Sequence, residues 1–329
     1  MSELKSLIKE LREFEGVKRK QPIEDVVKLF ESVKDDYNGT TLIDFGDDAA
    51  VIDIGGNDVI LFSADGIWGK ITDASPWWAG YTSVLVNVND ISAMGGKPIA
   101  MVNVLASNNL EICNELIQGI NEGIKKFGVP MVGGHMHPDT PYTSISVAII
   151  GIAKKDSIIR SDTAKDGNII IVAYDMDGKI GRNSPYSWDS TSFKDSKKVR
   201  DMYMVMQKLG EAGLVTSGKD ISNPGTIGTL GMLCESSHVG ASVDITKIPR
   251  PNSVPLAQWL KVYPATGYIV TATEDNVEPC ITTFEETGLT AAAIGTIDNT
   301  GKIELLFEDE SDTAFDFRYD SITGINMKS

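Results

Sequence analysis

Positive charge is what this chain lacks first. Its 329 residues carry 30 lysines and arginines against 46 aspartates and glutamates, a formal net charge of −16. That balance argues against nucleic acid or an anionic membrane as the main partner. Cysteine is scarce too. Cys113, Cys234 and Cys280 are too few and too widely spaced for a zinc motif or a disulfide framework, so a reducing cytoplasm is the expected compartment. No uninterrupted apolar run reaches the length that crosses a bilayer, and the N-terminal MSELKSLIKELREFEG reads as a charged amphipathic helix rather than a signal peptide. The chain has no G-x-x-x-x-G-K-[ST] loop and no G-x-S-x-G elbow, which argues against a P-loop ATPase and a serine hydrolase. Histidine is limited to three residues. The run His135-x-His137-x-Asp139 invites a zinc-hydrolase reading, but catalytic zinc takes about three protein ligands. The remaining histidine, His238, falls deep in a predicted helix, and His137 reads better as a loop residue.

Against these absences stands a concentration of aspartate between Ile43 and Pro98. Two short apolar runs, Ala49–Asp53 and Val59–Ser63, flank Gly55-Gly56-Asn57-Asp58, a strong hairpin signal because glycine and asparagine tolerate positive φ. A turn centred on Gly56-Asn57 sets Asp48 and Asp65 opposite one another at the open end. Like charges so placed repel, and a divalent cation between them is the simplest remedy. The next segment, Pro76 to Met94, reads as a helix with proline in its first turn and Gly95-Gly96 as its stop. Val84, Leu85, Val88 and Ile91 form an apolar face, while Ser83, Asn87, Asp90 and Met94 form a mostly polar stripe. A buried polar stripe needs partners, so the stripe is expected to line a cleft in which Asp90 joins Asp48 and Asp65.

In chain order, residues 2–15 and 23–35 read as helices around a linker that holds Lys18-Arg19-Lys20, either a solvated charge run or a phosphate contact. After the hairpin and acidic helix come a strand at Pro98–Ala106, a helix at Leu110–Phe127, a short strand at Val129–Val132 running into Gly133-Gly134-His135, and a β-branched strand at Thr143–Ala153. The two glycines suggest either close approach of a ligand to the backbone or a plain tight turn. This half is a mixed α+β sheet with helices on one face. The length fits two domains, and the polar stretch Lys154–Gly167 divides them into residues 1–155 and 156–329. The second half begins with a strand at Asn168–Tyr174 and a loop at Asp175–Asp195. A helix at Lys197–Leu209, a loop holding Asp220 and Asn223, and a helix from Thr226 follow. The amides at that helix start could receive a phosphate. Further strands are expected at Ala241–Asp244, Gly267–Thr273 and Ala291–Ile297, and the acidic tail from Glu308 is expected to be peripheral.

Taken together, GDDAAVI (Gly46–Ile52), SADGI (Ser63–Ile67), NVNDISAMGGKP (Asn87–Pro98), GGH (Gly133–His135) and KDISNPGTIGTLGML (Lys219–Leu233) resemble the superfamily of aminoimidazole ribonucleotide (AIR) synthetase, over roughly residues 15 to 305. The resemblance implies a two-domain α+β PurM-like fold: an N-terminal mixed sheet that pairs with a second copy's into a homodimer barrel, and a C-terminal α/β domain. It also implies ATP with Mg²⁺ in a cleft between the domains, and transfer of a phosphoryl group to an oxygen or similar nucleophile. Matched position by position, Asp48, Asp65, Asp90 and Asp220 correspond to the magnesium ligands, with Asp47 beside Asp48 in the same motif. Asn87 and Gly133-Gly134 correspond to nucleotide contacts; His135, Lys18 and Lys20 are grouped with them as candidate nucleotide-binding residues. Four carboxylates facing a triphosphate would repel it unless cations bridge them.

The departures narrow the choice. Selenophosphate synthetases usually carry a reactive cysteine or selenocysteine near the N-terminus, and here no cysteine precedes Cys113. Thiamine monophosphate kinases usually have acids where this chain has His135 and Asn223. The closest resemblance is to AIR synthase-related proteins of unassigned substrate, which include a methanogenesis-marker group. The expected activity is Mg²⁺- and ATP-dependent phosphorylation or condensation of a small cytosolic metabolite. Thiamine monophosphate kinase-like and selenophosphate synthetase-like activities are variants of that expectation. The alternative class is a nucleotide-binding scaffold without turnover, suggested by the missing cysteine and by Asn223.

Overall fold

The computed structural model describes residues 2–31, 40–181 and 184–325. The last four residues of the helix predicted over 23–35, two residues of the loop 175–195, and the last four of the tail lie outside them. The chain opens with α1 (Glu3–Glu13), α2 (Glu15–Lys18) and α3 (Ile23–Glu31). The first sheet and its helices follow: β1 (Thr41–Ile43), β2 (Ala50–Asp53), β3 (Asp58–Gly66), α4 (Gly69–Ala74), α5 (Pro76–Ala93), β4 (Lys97–Ala106), α6 (Leu110–Phe127), β5 (Met131–His137) and β6 (Ser144–Lys154). The second half holds β7 (Ile169–Tyr174), β8 (Lys179–Ile180), β9 (Trp188–Asp189), α7 (Ser196–Tyr203), α8 (Val205–Glu211), β10 (Ser217–Asp220), α9 (Gly225–Ser237) and β11 (Gly240–Asp244). It closes with α10 (Leu256–Trp259), β12 (Gly267–Ala272), α11 (Val277–Glu285), β13 (Thr290–Asp298), β14 (Lys302–Phe307) and β15 (Glu310–Asp316). No described helix is long and apolar enough to cross a membrane.

The architecture is two-domain α+β. The first sheet runs β1-β2-β3-β6-β4-β5 and is antiparallel except for the parallel β4·β5 pair. Helices α5 and α6 cover one of its faces. They cross at backbone contact: a Cβ at Gly80 would stand 2.0 Å from the Leu116 carbonyl, and one at Gly119 would stand 2.0 Å from that of Trp77. Helix α6 starts where the Asn109 side chain accepts from the Glu111 and Ile112 amides, and stops at Gly128, whose φ is +75°. The second sheet runs β10-β12-β7-β13-β11-β14-β15. Its interior strand β7 (IIIVAY) is apolar throughout because both faces are covered. Ile170, Val172 and Tyr174 enter a core shared with α1 and α9, while Ile171 and Ala173 enter one shared with α8 and α11.

Several expectations need correction. The hairpin pairs Ala50 with Phe62 rather than with Ser63, one residue off the predicted register, and β2 begins only at Ala50. Asp48 and Asp65 are therefore not cross-strand partners. Gly133-Gly134-His135 forms no turn and lies inside the edge strand β5. Asp220 ends strand β10 rather than sitting in a loop, and His238 is the left-handed cap after α9 rather than a residue deep within a helix. The helix predicted over Lys197–Leu209 is broken at Met204 into α7 and α8. Helix α1, counted within the first domain on sequence, buries Leu4, Leu7, Ile8 and Leu11 in the second domain's core.

The tail is not peripheral either. Strand β15 completes the second sheet, and Ile322 and Ile325 are buried. The Glu235 carboxylate accepts from the backbone amides of Ile322, Thr323 and Gly324 and from the Thr323 hydroxyl. Arg12 on α1 adds a bidentate pair with Asp320 and donates to the Ala314 carbonyl. Replacing Glu235 with alanine leaves three amides without that acceptor, and should lower the unfolding free energy by about 2–4 kcal/mol in urea titrations. A loss below about 0.5 kcal/mol would show that the tail is held by its apolar contacts alone.

Candidate metal centre at the domain junction

Four chain segments converge where the two domains meet. Asp48 arrives on the bend before β2, Asp65 on β3, Asp90 on α5 and Asp220 at the end of β10. Carboxylate oxygens of Asp48, Asp90 and Asp220 all lie within 4.8 Å of one another, one oxygen from each. Asp65 stands just outside this trio, close enough for its charge to act on both Asp90 and Asp220. Asp48, Asp65 and Asp90 border a cavity of about 380 Å³ that Lys20 and Lys219 also line.

Helix α5 explains why Asp90 points there. It is wedged between the domains and buried along most of its length, so each of its polar groups needs a partner. Ser83 bonds back to the Gly80 carbonyl, and Asn89 donates to the Ala265 carbonyl of the second domain at 3.0 Å. Ser92 reaches the Tyr203 carbonyl and the Tyr268 hydroxyl. Asn87 donates to the Ser83 carbonyl at 2.8 Å and accepts from the Asp65 amide at 3.2 Å. Ser83 and Asn87 thus do not line the cleft, and the fully buried Asn87 fixes the β3 backbone at Asp65. Among the described residues, Asp90 keeps one protein donor, the Ser63 hydroxyl at 2.7 Å.

The electrostatics follow from burial. Loss of water raises the Asp90 carboxyl well above its ordinary range, and the charges of Asp220, Asp65 and Asp48 push the same way. Burial and then Asp48 lift Asp220 to about 8. Asp47 rises to about 6 for the same reasons, but its oxygens are spent on the Ser161 and Asp48 amides, so it anchors the bend. Lys219, buried and ion-paired with Asp48, is the cation that sequence reasoning missed. Burial opposes its charge, yet Asp48, Asp47 and Asp220 outweigh burial and hold it protonated. Its signal was available as a Lys-Asp pair closing an otherwise uncharged run. The Asp220 amide also donates to Asp48, so Asp48 is tied to the second domain twice.

The remaining candidates divide. Lys20 faces the acidic cavity and its charge acts on Asp65 and Asp220. Lys18 is exposed and lines neither this cavity nor the larger one beside it. Gly134 shares a sheet row with Asp65 through Asn103 and Val147, three strands away, about 14 Å at 4.8 Å per strand. Gly133 and His135 lie on the face away from the helices. The rings of His135 and His137 meet edge to face at 4.5 Å, and among the described residues neither belongs to a group of three metal-type ligands, so nothing favours a zinc site there. Three converging carboxylates and no sulfur or imidazole make a hard-oxygen donor set, which fits Mg²⁺.

Both domains have recognisable relatives. Residues 46–153 match the family model described as AIR synthase related protein, N-terminal domain, and residues 165–308 match its C-terminal domain. The uncharacterized protein MJ0640 of Methanocaldococcus jannaschii is 49% identical over 321 residues, covering 98% of this chain and 99% of its own length. Among solved structures, T. maritima PurL complexed with ATP superposes with a TM-score of 0.71 at 16% identity, over 88% of this chain and 51% of PurL. This chain thus spans about half the length of PurL. AaThiL complexed with AMPPCP and TMP gives 0.63 at 15% identity, over 88% of this chain and 96% of that one.

Carboxyls that keep their protons to a higher pH when folded than when unfolded make the folded state the better proton binder in between. Stability conferred by protonation is therefore full near pH 4 and lost as the pH rises through about 6 for Asp47 and about 8 for Asp220. In chelator, Asp220→Asn should exceed the parent protein in stability by about 1–4 kcal/mol at pH 8. The difference should shrink toward pH 4, and millimolar Mg²⁺ should close it by stabilising the parent. Chemical denaturation at the two pH values decides, and a difference independent of pH would mean the acids do not crowd one another.

Proposed function

The chain belongs to the AIR synthase related family, and we propose that its domain junction binds Mg²⁺ and ATP for transfer of the γ-phosphoryl group to a small metabolite. The observation that carries this reading is the convergence of Asp48, Asp90 and Asp220, with Asp65 beside them, from four distant segments. Asp48, Asp90 and Asp220 would hold Mg²⁺, which supplies charge neutralisation for the triphosphate. The chain's own residues do the rest by positioning. Ser63 and Asn87 fix the side chain of Asp90 and the backbone of Asp65. Lys219 contributes a positive charge built into the centre, and Lys20 offers a second at the cavity wall. PurL and AaThiL, whose solved complexes contain ATP and AMPPCP, support a nucleotide here.

The same reading includes a homodimer. The first sheet has α5 and α6 on one face only. Its other face exposes Phe62, Val102, Val104 and Ile150, which are neighbours across β3, β6 and β4 and between 36% and 48% accessible. An apolar face of this kind calls for a partner, and a second copy of the same sheet is self-complementary in character. Gly133 and His135 lie on this face, so their contacts would be with the second copy.

Asp90→Asn removes one ligand charge while keeping the side chain's size. Calorimetry should show Mg²⁺-ATP affinity falling at least tenfold, with the thermal midpoint unchanged or raised. Equal affinity in the variant would remove Asp90 from the site. Phosphate release with added metabolites separates an enzyme from a scaffold: tight binding without release on any acceptor would favour the scaffold. Val102→Glu, which puts charge into the exposed sheet face, should convert a dimer to a monomer in sedimentation. A parent chain that is already monomeric at micromolar concentration would overturn the dimer.

A further inference from the structure

A second and larger cavity, of about 610 Å³, opens beside the acidic one and falls within the range of small-molecule sites. Its walls carry five aromatic rings, those of Phe14, Trp68, Trp78, Tyr186 and Tyr263. Two of them are held in place. The Trp78 indole donates to the Ser187 hydroxyl at 2.7 Å, and Tyr186 packs edge to face on Phe14 at 5.2 Å. Tyr263 marks the boundary between the cavities, since it lines this one while the charges of Asp65, Asp220 and Asp90 act on it. The basic run near the N-terminus divides between them, with Lys20 in the acidic cavity and Arg19 in the aromatic one.

The charged groups of the aromatic cavity are mostly spoken for. Lys261, itself buried, pairs with Glu10 at 3.1 Å, and Lys70 reaches Glu15 at 3.5 Å. Arg19 has no ion pair among the described residues. Its guanidinium lies 4.8 Å from the Trp68 ring centroid, a stacking contact that leaves its in-plane donors uncommitted. A planar fork of donors beside aromatic walls suits one class of ligand: a flat ring that stacks, bearing an anionic group that the fork receives. A purely aliphatic acid would leave the rings wet, and an uncharged ring would leave Arg19 unanswered.

Resting on the reading that the acidic cavity takes Mg²⁺-ATP, we propose that the aromatic cavity binds the second substrate, and that this substrate is an aromatic or heteroaromatic acid held by Arg19. Saturation-transfer NMR on the full chain tests it, with benzoate, nicotinate and indole-3-carboxylate as probes and butyrate as the aliphatic control. At least one aromatic acid should bind with a Kd of about 1 mM or tighter. Arg19→Met should weaken that binding about tenfold, and Ala74→Phe, which fills the cavity from its wall, should abolish it. Asp90→Asn should leave it within about twofold, because Asp90 belongs to the other cavity. No aromatic acid bound at several millimolar, equal binding of butyrate, or an undiminished signal in Arg19→Met would each overturn the proposal. Displacement of the bound acid by adenosine would overturn it as well, by making this the nucleoside's cavity. A chain that takes the aromatic acid but never Mg²⁺-ATP would bring down the reading of the acidic cavity alone.

Discussion

Negative charges brought together out of water repel one another and lose their hydration at once. The seam between the two domains gathers Asp47, Asp48, Asp65, Asp90 and Asp220 around a single buried lysine. Such a cluster persists only if protons, a fixed cation or a bound ion offset the repulsion. Lys219 supplies the fixed part, and the raised carboxyls show that it is not enough. The cost is built into how the domains meet. Asp48 comes from the first domain and Lys219 and the Asp220 amide from the second, so the bonds that assemble the acidic centre also join the two halves. Whatever neutralises the centre therefore also acts on the packing of the domains.

Helix α5 is the other half of that constraint. A helix buried on all sides can carry polar groups only if each is answered, and nearly every one here is answered locally or across the seam. Asp90 is the exception in kind. It is an ionisable acid rather than a fixed dipole, among the described residues its hydrogen-bond donor is the Ser63 hydroxyl, and it faces the cavity. The helix thus holds one ionisable group at a fixed place on the cavity wall, partly buried and pushed toward its protonated form by loss of water and by the acids around it.

Much of this was legible in the sequence because it rests on local rules. Pro76, Gly95 and Gly128 bounded α5 and α6 to within a residue, and β-branched runs located β6 and β7. The acidic residues were found by kind and not by geometry. Asp48 and Asp65 were paired through a hairpin register that the structure shifts by one residue, and they reach the same region by another route. What was not legible was set by tertiary contacts. Ser83 and Asn87 read as a cleft-lining stripe because helical spacing cannot tell a cavity from a neighbouring strand. The tail read as peripheral because its acidity hid the carboxylate of Glu235, which accepts three of its amides. Lys219 was passed over because the Lys-Asp pair that closes an uncharged run does not by itself say that the lysine is buried against acids from the other domain.

The N-terminal segment contributes to both cavities from outside the span that the family model matches. The span shared with the AIR synthase related family begins at residue 46, and it contains all five clustered aspartates and Lys219. Residues 3–18 lie before it, yet they pack on the second domain's core, where Gly16 sits so close to the Asn223 carbonyl that no side chain fits between them. That contact sets the position of the turn that follows, and with it the placement of Arg19 in one cavity and Lys20 in the other. Phe14 and Arg19, two of the groups that give the aromatic cavity its character, are thus contributed by chain outside the shared span. The other rings of that cavity, Trp68, Trp78, Tyr186 and Tyr263, lie inside the shared span. The two cavities are therefore built differently: the aspartates and Lys219 of the acidic one come from the shared span, while the walls of the aromatic one are drawn from both sides of its start.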